Sequence, residues 1–109
     1  MPTKKPGQTA RGTQSGRPIM VLFDILGQRW TLRILWELRG GRLTFRQLRE
    51  RCDDVSPTSL NKRLKSLREL ALIDLEKSGF GYTQLGIELG EKLADMNQWS
   101  ERWAKSLDR

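Results

Sequence analysis

The chain has 109 residues and a formal charge of +7, with 20 lysines and arginines against 13 acidic residues. This length suits one domain with a single modest core, and the charge favours a polyanionic partner, with nucleic acid as the first candidate and a membrane surface as the second. Histidine is absent and cysteine occurs once, which excludes histidine-based catalysis, histidine-containing metal sites and an internal disulfide, so we expect neither an enzyme nor a bound cofactor or metal.

Residues 1–17 are predicted to form a disordered basic arm. They contain four basic residues, no acidic residue and almost no apolar side chain, so they bury too little surface to offset the entropy of ordering. Such an arm can follow the phosphates or a groove of DNA, whereas a solubilising tail or a leftover processing segment is the alternative. No apolar run approaches a signal peptide core or the ~18 residues of a membrane span, so we expect a cytoplasmic protein.

Two short apolar helices are predicted to open a domain that spans residues 18–109. Residues 19–26 are apolar apart from one aspartate, and Gly27 stands at a suitable C-cap position. Residues 30–38 place leucine and isoleucine side chains on one face and are followed by a pair of glycines. Both helices are therefore expected to contribute to the core.

A third helix is predicted to begin at Phe45. Thr44 and Gln47 have the spacing of a capping box, in which each residue satisfies the backbone of the other. Phe45, Leu48 and Cys52 follow an i, i+3, i+7 pattern, which places Cys52 in the core. A redox-sensing thiol is the alternative for Cys52, supported by the arginines that are close to it in the sequence.

The fourth predicted helix carries the strongest functional signal. Ser56 is a favourable N-cap and Pro57 suits the first helical position. At 100° per residue, Leu60, Leu64 and Leu67 form one stripe opposite a basic and polar face. With the preceding helix and a short polar turn this pattern predicts a helix-turn-helix, whose recognition helix lays its basic face on phosphates and its first turn near base edges. A solvated helix face is the alternative.

A small hairpin is predicted after the recognition helix. Ile73 and Leu75 alternate with acidic residues, and Phe80 and Tyr82 lie two positions apart beyond a turn at residues 77–79. The period of two on both sides of the turn favours a hairpin over a plain loop. This hairpin would be the wing of a winged helix.

A final helix is predicted over about residues 83–107 and is capped by Thr83; the part up to about Lys105 is roughly 33 Å long. Its apolar side chains recur at steps of three and four and comprise Leu85, Leu89, Leu93, Met96, Trp99, Trp103 and Leu107. A domain this small cannot cover such a stripe from end to end. We therefore expect the outer part to pack against another copy of the chain.

The predicted fold class is mainly α with a small β-hairpin: a winged helix-turn-helix with a long C-terminal dimerisation helix. Residues 19–107 resemble the HxlR-type winged helix-turn-helix transcriptional regulators, relatives of the MarR group. The residues that carry the resemblance are Leu26, Gly27, Trp30, Thr31, Ile34, Leu35 and Leu38, then Thr44, Phe45 and Leu48, then Ser56, Pro57, Leu60, Arg63, Leu64 and Leu67, and finally Thr83, Leu85 and Gly86. The resemblance implies a homodimer built from the first and last helices, a recognition helix in the major groove and a wing beside it.

The chain departs from the family pattern at three points. The family usually has a longer, proline-containing wing, whereas only residues 77–79 separate the two arms here. Ala71 stands where a glycine commonly follows the recognition helix, which costs about 1 kcal/mol if that position is left-handed. Redox sensors of the family tend to carry a cysteine near the N-terminus, and this sequence has none there.

The sequence thus predicts a sequence-specific, DNA-binding transcriptional regulator that acts as a homodimer on a pseudo-palindromic operator. The alternative is a winged-helix module that binds protein or RNA; the basic face and arm favour double-stranded DNA, and the recognition helix lacks the aromatic side chains typical of RNA stacking. The predicted DNA contacts are Thr44, Arg46, Ser56, Thr58, Ser59, Asn61, Lys62, Arg63, Lys65, Lys77 and Ser78. The predicted dimer contacts are Ile19, Leu22, Phe23, Met96, Trp99, Trp103 and Leu107. The sequence does not identify the operator, a small-molecule effector, or whether the protein activates or represses transcription.

Overall fold

Five helices and one hairpin follow one another in the order that the sequence pattern predicts. The computed structural model describes Pro6 and residues 16–108. Its elements are α1 (Pro18–Leu26), α2 (Thr31–Glu37), a single 3-10 turn (Leu38–Gly40), α3 (Phe45–Arg51), α4 (Pro57–Glu69), β1 (Ile73–Glu76), β2 (Gly79–Tyr82) and α5 (Gln84–Leu107). The predicted fold class is confirmed. The predicted basic arm lies outside the described residues, apart from Pro6, Gly16 and Arg17.

Three predicted helix starts are confirmed by side-chain caps. The Thr44 hydroxyl accepts a hydrogen bond from the Gln47 N–H at 3.2 Å, and the Gln47 side-chain oxygen accepts one from the Thr44 N–H at 2.9 Å. The Ser56 hydroxyl accepts from the Ser59 N–H at 3.1 Å, and Thr83 caps α5 in the same way. Each cap joins residues within one turn, so the local sequence is enough to specify it.

The corner between α1 and α2 differs in detail from the prediction. Helix α2 begins at Thr31 instead of Trp30, because Trp30 has a left-handed backbone with φ of 76°. Gly27 occupies the C-cap position as expected, but its φ of −78° is right-handed. The strained conformation therefore falls on a tryptophan, at a cost of about 1 kcal/mol. Packing of the half-buried Trp30 ring against the core opposes that cost.

The end of α4 is a Schellman motif. The Leu72 N–H donates to the Leu67 carbonyl and the Ala71 N–H donates to the Arg68 carbonyl, each at 3.0 Å. This pairing requires a left-handed residue at the position after the C-cap, and Ala71 has φ of 60° there. The position at which the family resemblance implies a glycine is thus left-handed, and alanine occupies it with the expected strain of about 1 kcal/mol.

Helices α2, α3 and α4 meet in one core that the hairpin closes. Its members with at most 2% exposure are Ile34, Leu35, Leu38, Leu48, Cys52, Leu60, Leu64, Leu67 and Ile73. Leu43, in the linker before α3, exchanges both backbone hydrogen bonds with Phe80 of β2, at 3.0 and 2.8 Å. The hairpin is therefore joined to the linker as well as packed on the core.

The start of α5 lies unusually close to the segment before β1. A Cβ atom on Gly86 would lie 2.0 Å from the Leu72 carbonyl oxygen, so only glycine fits there. One turn later, Gly90 leaves room for the Tyr82 ring, whose hydroxyl donates to the Leu35 carbonyl. The first half of α5 is thereby fixed on the domain, whereas its large apolar side chains from Met96 onward are exposed.

We expect Gly86→Ala to lower the free energy of unfolding by about 1 to 3 kcal/mol, because the added methyl group collides with a backbone carbonyl. Gly40→Ala is the matched control, since a Cβ there meets no atom within 4 Å. The control should stay within about 0.5 kcal/mol of the wild type. Urea unfolding followed by circular dichroism measures both, and equal midpoints for the two variants would contradict the close packing.

Candidate nucleic-acid interface

Helix α4 buries one face and exposes the other. Its leucine stripe is at most 2% exposed. The opposite face exposes Thr58, Asn61, Lys62 and Lys65, all of which are predicted DNA contacts. Within residues 16–108 no hydrogen bond or ion pair engages either lysine side chain. The charge and hydrogen-bonding capacity of this face are therefore available to a partner.

The first turn of α4 is ordered by its own cap. The Ser56 hydroxyl, besides accepting from the backbone, lies 3.0 Å from the Ser59 hydroxyl. Ser59 is half-buried and Ser56 is exposed. Both predicted contacts thus lie at the helix N-terminus, where the backbone N–H groups and the helix dipole also favour an anion such as a phosphate.

The turn of the helix-turn-helix is held by internal hydrogen bonds. Asp53 and Asp54 both have φ of 56°, a conformation that aspartate tolerates better than most residues. The Asp54 N–H donates to the Arg49 carbonyl at 2.8 Å, and the Arg49 Nε donates to the Val55 carbonyl at 2.8 Å. No sequence pattern predicts a role for Arg49. The structure shows that its guanidinium fixes the turn between α3 and α4.

The start of α3 contributes two of the predicted contacts. The Thr44 hydroxyl and backbone are both engaged in the capping box, although the residue is exposed. The Arg46 side chain is 90% exposed, and its Nε lies 3.6 Å from a Glu50 carboxylate oxygen one turn later. An exposed pair of this kind contributes little to stability, so the Arg46 guanidinium can exchange its partner for a phosphate at small cost.

Arg63 stands apart from the other basic residues of α4. It lies on the flank between the leucine stripe and the exposed face, and it is half-buried. Its Nε donates to the Arg29 carbonyl at 2.8 Å and its Nη1 donates to the Gln28 side-chain oxygen at 3.1 Å. Arg63 therefore joins the recognition helix to the corner between α1 and α2. Helical periodicity alone gave no sign of this, because the acceptors are more than thirty residues away in the chain.

The wing is a tight antiparallel hairpin. Glu76 pairs with Gly79, so Lys77 and Ser78 form a two-residue turn, one residue shorter than the predicted turn, and both are exposed. Arg42 supports the turn end of the hairpin: its guanidinium lies 2.6 Å from Asp74 and 3.2 Å from Glu76.

The same guanidinium donates to the Gly79 carbonyl at 2.9 Å. Arg42 thus opposes the negative charge of two acidic residues that would repel phosphates, and it bridges both strands. No sequence pattern predicts this role for Arg42, because its acidic partners lie more than thirty positions later in the chain.

Helix α4 and the hairpin border a common groove. Lys65, Arg68 and Glu69 of α4 line one side, and Ile73, Asp74 and Leu75 line the other. The structure therefore places the C-terminal half of the exposed α4 face beside the first strand of the wing. The predicted DNA contacts at the wing tip, Lys77 and Ser78, form the turn that follows this strand in the same hairpin.

Exposed apolar side chains on two separate helices, α1 and α5, form a second set of candidate contacts, which we call the apolar surface on α1 and α5. The predicted dimer contacts Ile19, Phe23, Met96, Trp99, Trp103 and Leu107 are between 46% and 66% exposed, while Leu22 is half-buried. Trp99 and Trp103 stack with ring centroids 6.0 Å apart and planes 9° apart. An apolar groove beside them is lined by Leu32, Trp36, Leu93, Met96, Asn97 and Ser100. So much exposed apolar surface is typical of an interaction site.

The predicted core position of Cys52 is confirmed, since the residue is fully buried. Burial raises the pKa of the Cys52 thiol above its ordinary value, and the positive charge of Arg33 opposes this only in part. A thiol with a raised pKa and no access to solvent reacts slowly with oxidants and electrophiles. The structure thus favours the core interpretation over the redox-sensing alternative.

Two other classes of site find no support in the described part of the chain. No helix there is long and apolar enough to cross a membrane. Among the same residues, no group of three or more cysteine, aspartate and glutamate side chains is arranged to hold a metal ion. The exposed face of α4, the wing and the apolar surface on α1 and α5 remain the candidate sites.

Comparison with known proteins agrees with this architecture. A family model described as HxlR-like helix-turn-helix matches residues 25–108. The chain is 28% identical over 91 residues to an uncharacterized HTH-type transcriptional regulator of Methanocaldococcus jannaschii, covering 80% of this chain and 86% of that protein.

Two solved structures are similar to this fold. Quinone-bound YodB from Bacillus subtilis superposes with a TM-score of 0.70 at 25% identity, covering 77% of this chain and 96% of that chain. A protein described as a MarR-family transcriptional regulator from Porphyromonas gingivalis superposes with a TM-score of 0.67 at 19% identity, covering 77% and 89% of the two chains. The second likeness concerns the fold alone.

We expect Cys52 in the native protein to react with a thiol reagent such as DTNB about a hundredfold or more slowly than in urea, because labelling requires local opening of the core. The absorbance of the released thiolate measures both rates in one preparation. The unfolded sample is the control for the intrinsic reactivity of the thiol. Equal rates in buffer and in urea would contradict the buried position and reopen the redox-sensing alternative.

Proposed function

Because the chain belongs to the HxlR-like helix-turn-helix family of transcriptional regulators, we propose that it binds a pseudo-palindromic DNA operator as a homodimer. One observation carries this proposal: α4 buries its leucine stripe and exposes Lys62 and Lys65, whose side chains have no hydrogen-bond or ion-pair partner among residues 16–108. A helix of this kind fits the major groove of double-stranded DNA.

The exposed face of α4 supplies the central contacts of the proposed complex. Lys62 and Lys65 neutralise phosphates or donate to guanine edges, because their ammonium groups are exposed on the outer side of the helix. Thr58, Ser59 and Asn61 lie in the first two turns, where short polar side chains reach base edges. Ser56 acts mainly by holding this N-terminus in shape.

Flanking contacts come from two other elements. Arg46 and Thr44 at the start of α3 approach the backbone beside the recognition helix, as the first helix of a helix-turn-helix does. Lys77 and Ser78 at the tip of the wing reach a phosphate on the other side. The predicted basic arm adds sequence-independent attraction through its four cationic residues.

The homodimer is proposed from the apolar surface on α1 and α5. Trp99 and Trp103 are each more than half exposed and stacked on one another, and Phe23 is 57% exposed. Tryptophan and phenylalanine in such settings are typical anchors of an interface. A two-fold axis through this surface would relate the two α4 helices, so that half-sites about 34 Å apart are contacted together.

We expect Lys62→Ala and Lys65→Ala each to weaken DNA binding. The loss is about 1 to 3 kcal/mol if the side chain reads a base, and the log–log salt slope falls by about 0.9 if it meets a phosphate. Fluorescence anisotropy over a salt series with duplexes selected from a random library measures both quantities.

Lys105→Ala on α5 removes the same charge from an exposed position on the side of the helix away from Trp103 and is the matched control. Its salt slope and affinity should stay close to those of the wild type. If both α4 variants bind like this control, α4 is not the recognition helix. A preference of the wild type for single-stranded RNA over duplex DNA would instead support the alternative interaction module.

We expect Trp103→Glu to remain folded and to sediment as a monomer at micromolar concentration. Placing a charge in a desolvated contact commonly costs about 2 kcal/mol or more. Loss of the dimer should lower affinity for the selected duplex by orders of magnitude while weak, salt-sensitive binding remains. Analytical ultracentrifugation and DNase footprinting measure the two effects.

Ala94→Glu is the matched control, because residue 94 lies on the side of α5 opposite to residue 103 and is exposed. This variant should sediment and bind DNA like the wild type. A monomeric wild type, or a monomeric Trp103→Glu variant that still protects a full palindrome, would contradict the proposed assembly.

A further inference from the structure

Arg63 is the one basic residue of α4 whose described hydrogen bonds lead away from the exposed face. Its two hydrogen bonds end on consecutive residues of the α1–α2 corner, one on a backbone carbonyl and one on a side-chain amide. A guanidinium presents several donors in a rigid planar fork, so two such bonds fix both the distance and the direction of the helix that carries it. Lysine cannot reproduce this geometry.

The corner that receives Arg63 is itself held firmly. Thr31 N–H donates to the Gln28 carbonyl, and Ile34 N–H donates to the Trp30 carbonyl, so the backbone on both sides of Arg29 is fixed. Trp30 keeps its left-handed conformation with its ring against the core, and the Arg29 guanidinium lies 5.3 Å from the ring centroid. Arg63 is thus attached to a rigid point and not to a loose loop.

The corner directly follows α1, whose exposed Ile19 and Phe23 belong to the apolar surface proposed to join two copies. A short structural path therefore runs from that surface through α1 and the corner to the recognition helix. In a dimer the same path exists in each copy, so it sets the separation and relative angle of the two α4 helices.

We propose that Arg63 is a positioning residue for DNA recognition: with Gln28 and the Arg29 carbonyl it sets the orientation of the recognition helix relative to α1, and hence the half-site spacing that the dimer accepts. This inference rests on the proposed function. It assigns Arg63 a role through the protein in place of the direct DNA contact that the sequence predicts.

The test compares three variants on duplexes selected by the wild type from a random library. Arg63→Lys keeps the charge and removes the fork, and Gln28→Ala removes one acceptor away from the recognition helix. Arg39→Lys is the matched control, since it conserves charge and removes a guanidinium that donates to a backbone carbonyl, that of Trp36, outside α4 and the α1–α2 corner. Affinity, salt slope and tolerance of one added or removed base pair between the half-sites are measured by anisotropy, and folding by thermal unfolding.

We expect Arg63→Lys and Gln28→Ala each to lower affinity roughly tenfold, because loss of a supporting contact misplaces a recognition element that must be held to within about 0.5 Å. The salt slope should not change, and both variants should discriminate less than the wild type against altered spacing. Arg39→Lys should keep the wild-type spacing preference.

Three outcomes would overturn the inference. Variants that retain the wild-type spacing preference, even with a lowered melting temperature, would show a merely structural role. An effect of Arg63→Lys without any effect of Gln28→Ala would indicate direct contact with DNA. A wild type that selects no sequence at all would contradict the proposed function itself, and the inference would fall with it.

Discussion

Burial of the α4 leucine stripe is the constraint on which the rest of the structure depends. Leu60, Leu64 and Leu67 are at most 2% exposed, and they occupy the centre of the core formed with α2, α3 and the hairpin. A fully buried leucine contributes roughly 1.5 to 3 kcal/mol, so this stripe fixes the rotation of α4 about its axis. Once that rotation is fixed, helical geometry alone decides that Lys62 and Lys65 lie outside.

Several arginines around this stripe make hydrogen bonds within the protein, and three of them hold the elements that flank α4. Arg49 fixes the turn between α3 and α4, Arg42 bridges the two strands of the wing, and Arg63 joins α4 to the α1–α2 corner. Each donates to a backbone carbonyl from a part-buried or flanking position. The net positive charge therefore overstates the charge on the surface proposed to face DNA, to which the exposed Lys62 and Lys65 of α4 contribute directly.

The junctions between elements carry the backbone strain, whereas the elements themselves are regular. Trp30, Asp53, Asp54 and Ala71 are the described non-glycine residues with positive φ, and each lies where one helix ends or the next begins. At each site hydrogen bonds or core packing oppose a cost of about 1 kcal/mol or more. These tight corners leave little freedom in how α1, α3 and the wing are arranged around α4.

The sequence by itself determined the features that depend on neighbours within about one turn. The caps at Thr44, Ser56 and Thr83, the leucine stripe and the period-two hairpin were all predictable, because each involves residues a few positions apart. The fold class followed from their order. The separation of exposed lysines from buried leucines on α4 also followed, since helical periodicity specifies it.

Only the tertiary structure decided which polar side chains serve the fold and which remain available to a partner. Arg63 and Lys62 are adjacent in the sequence and both positively charged, yet Arg63 reaches the α1–α2 corner while Lys62 stays exposed. Arg42 likewise meets acidic residues more than thirty positions away. The left-handed conformation of Trp30 and the close approach of Gly86 to Leu72 likewise depend on tertiary packing. Such pairings depend on chain segments that meet only after the core has formed, and no local pattern encodes them.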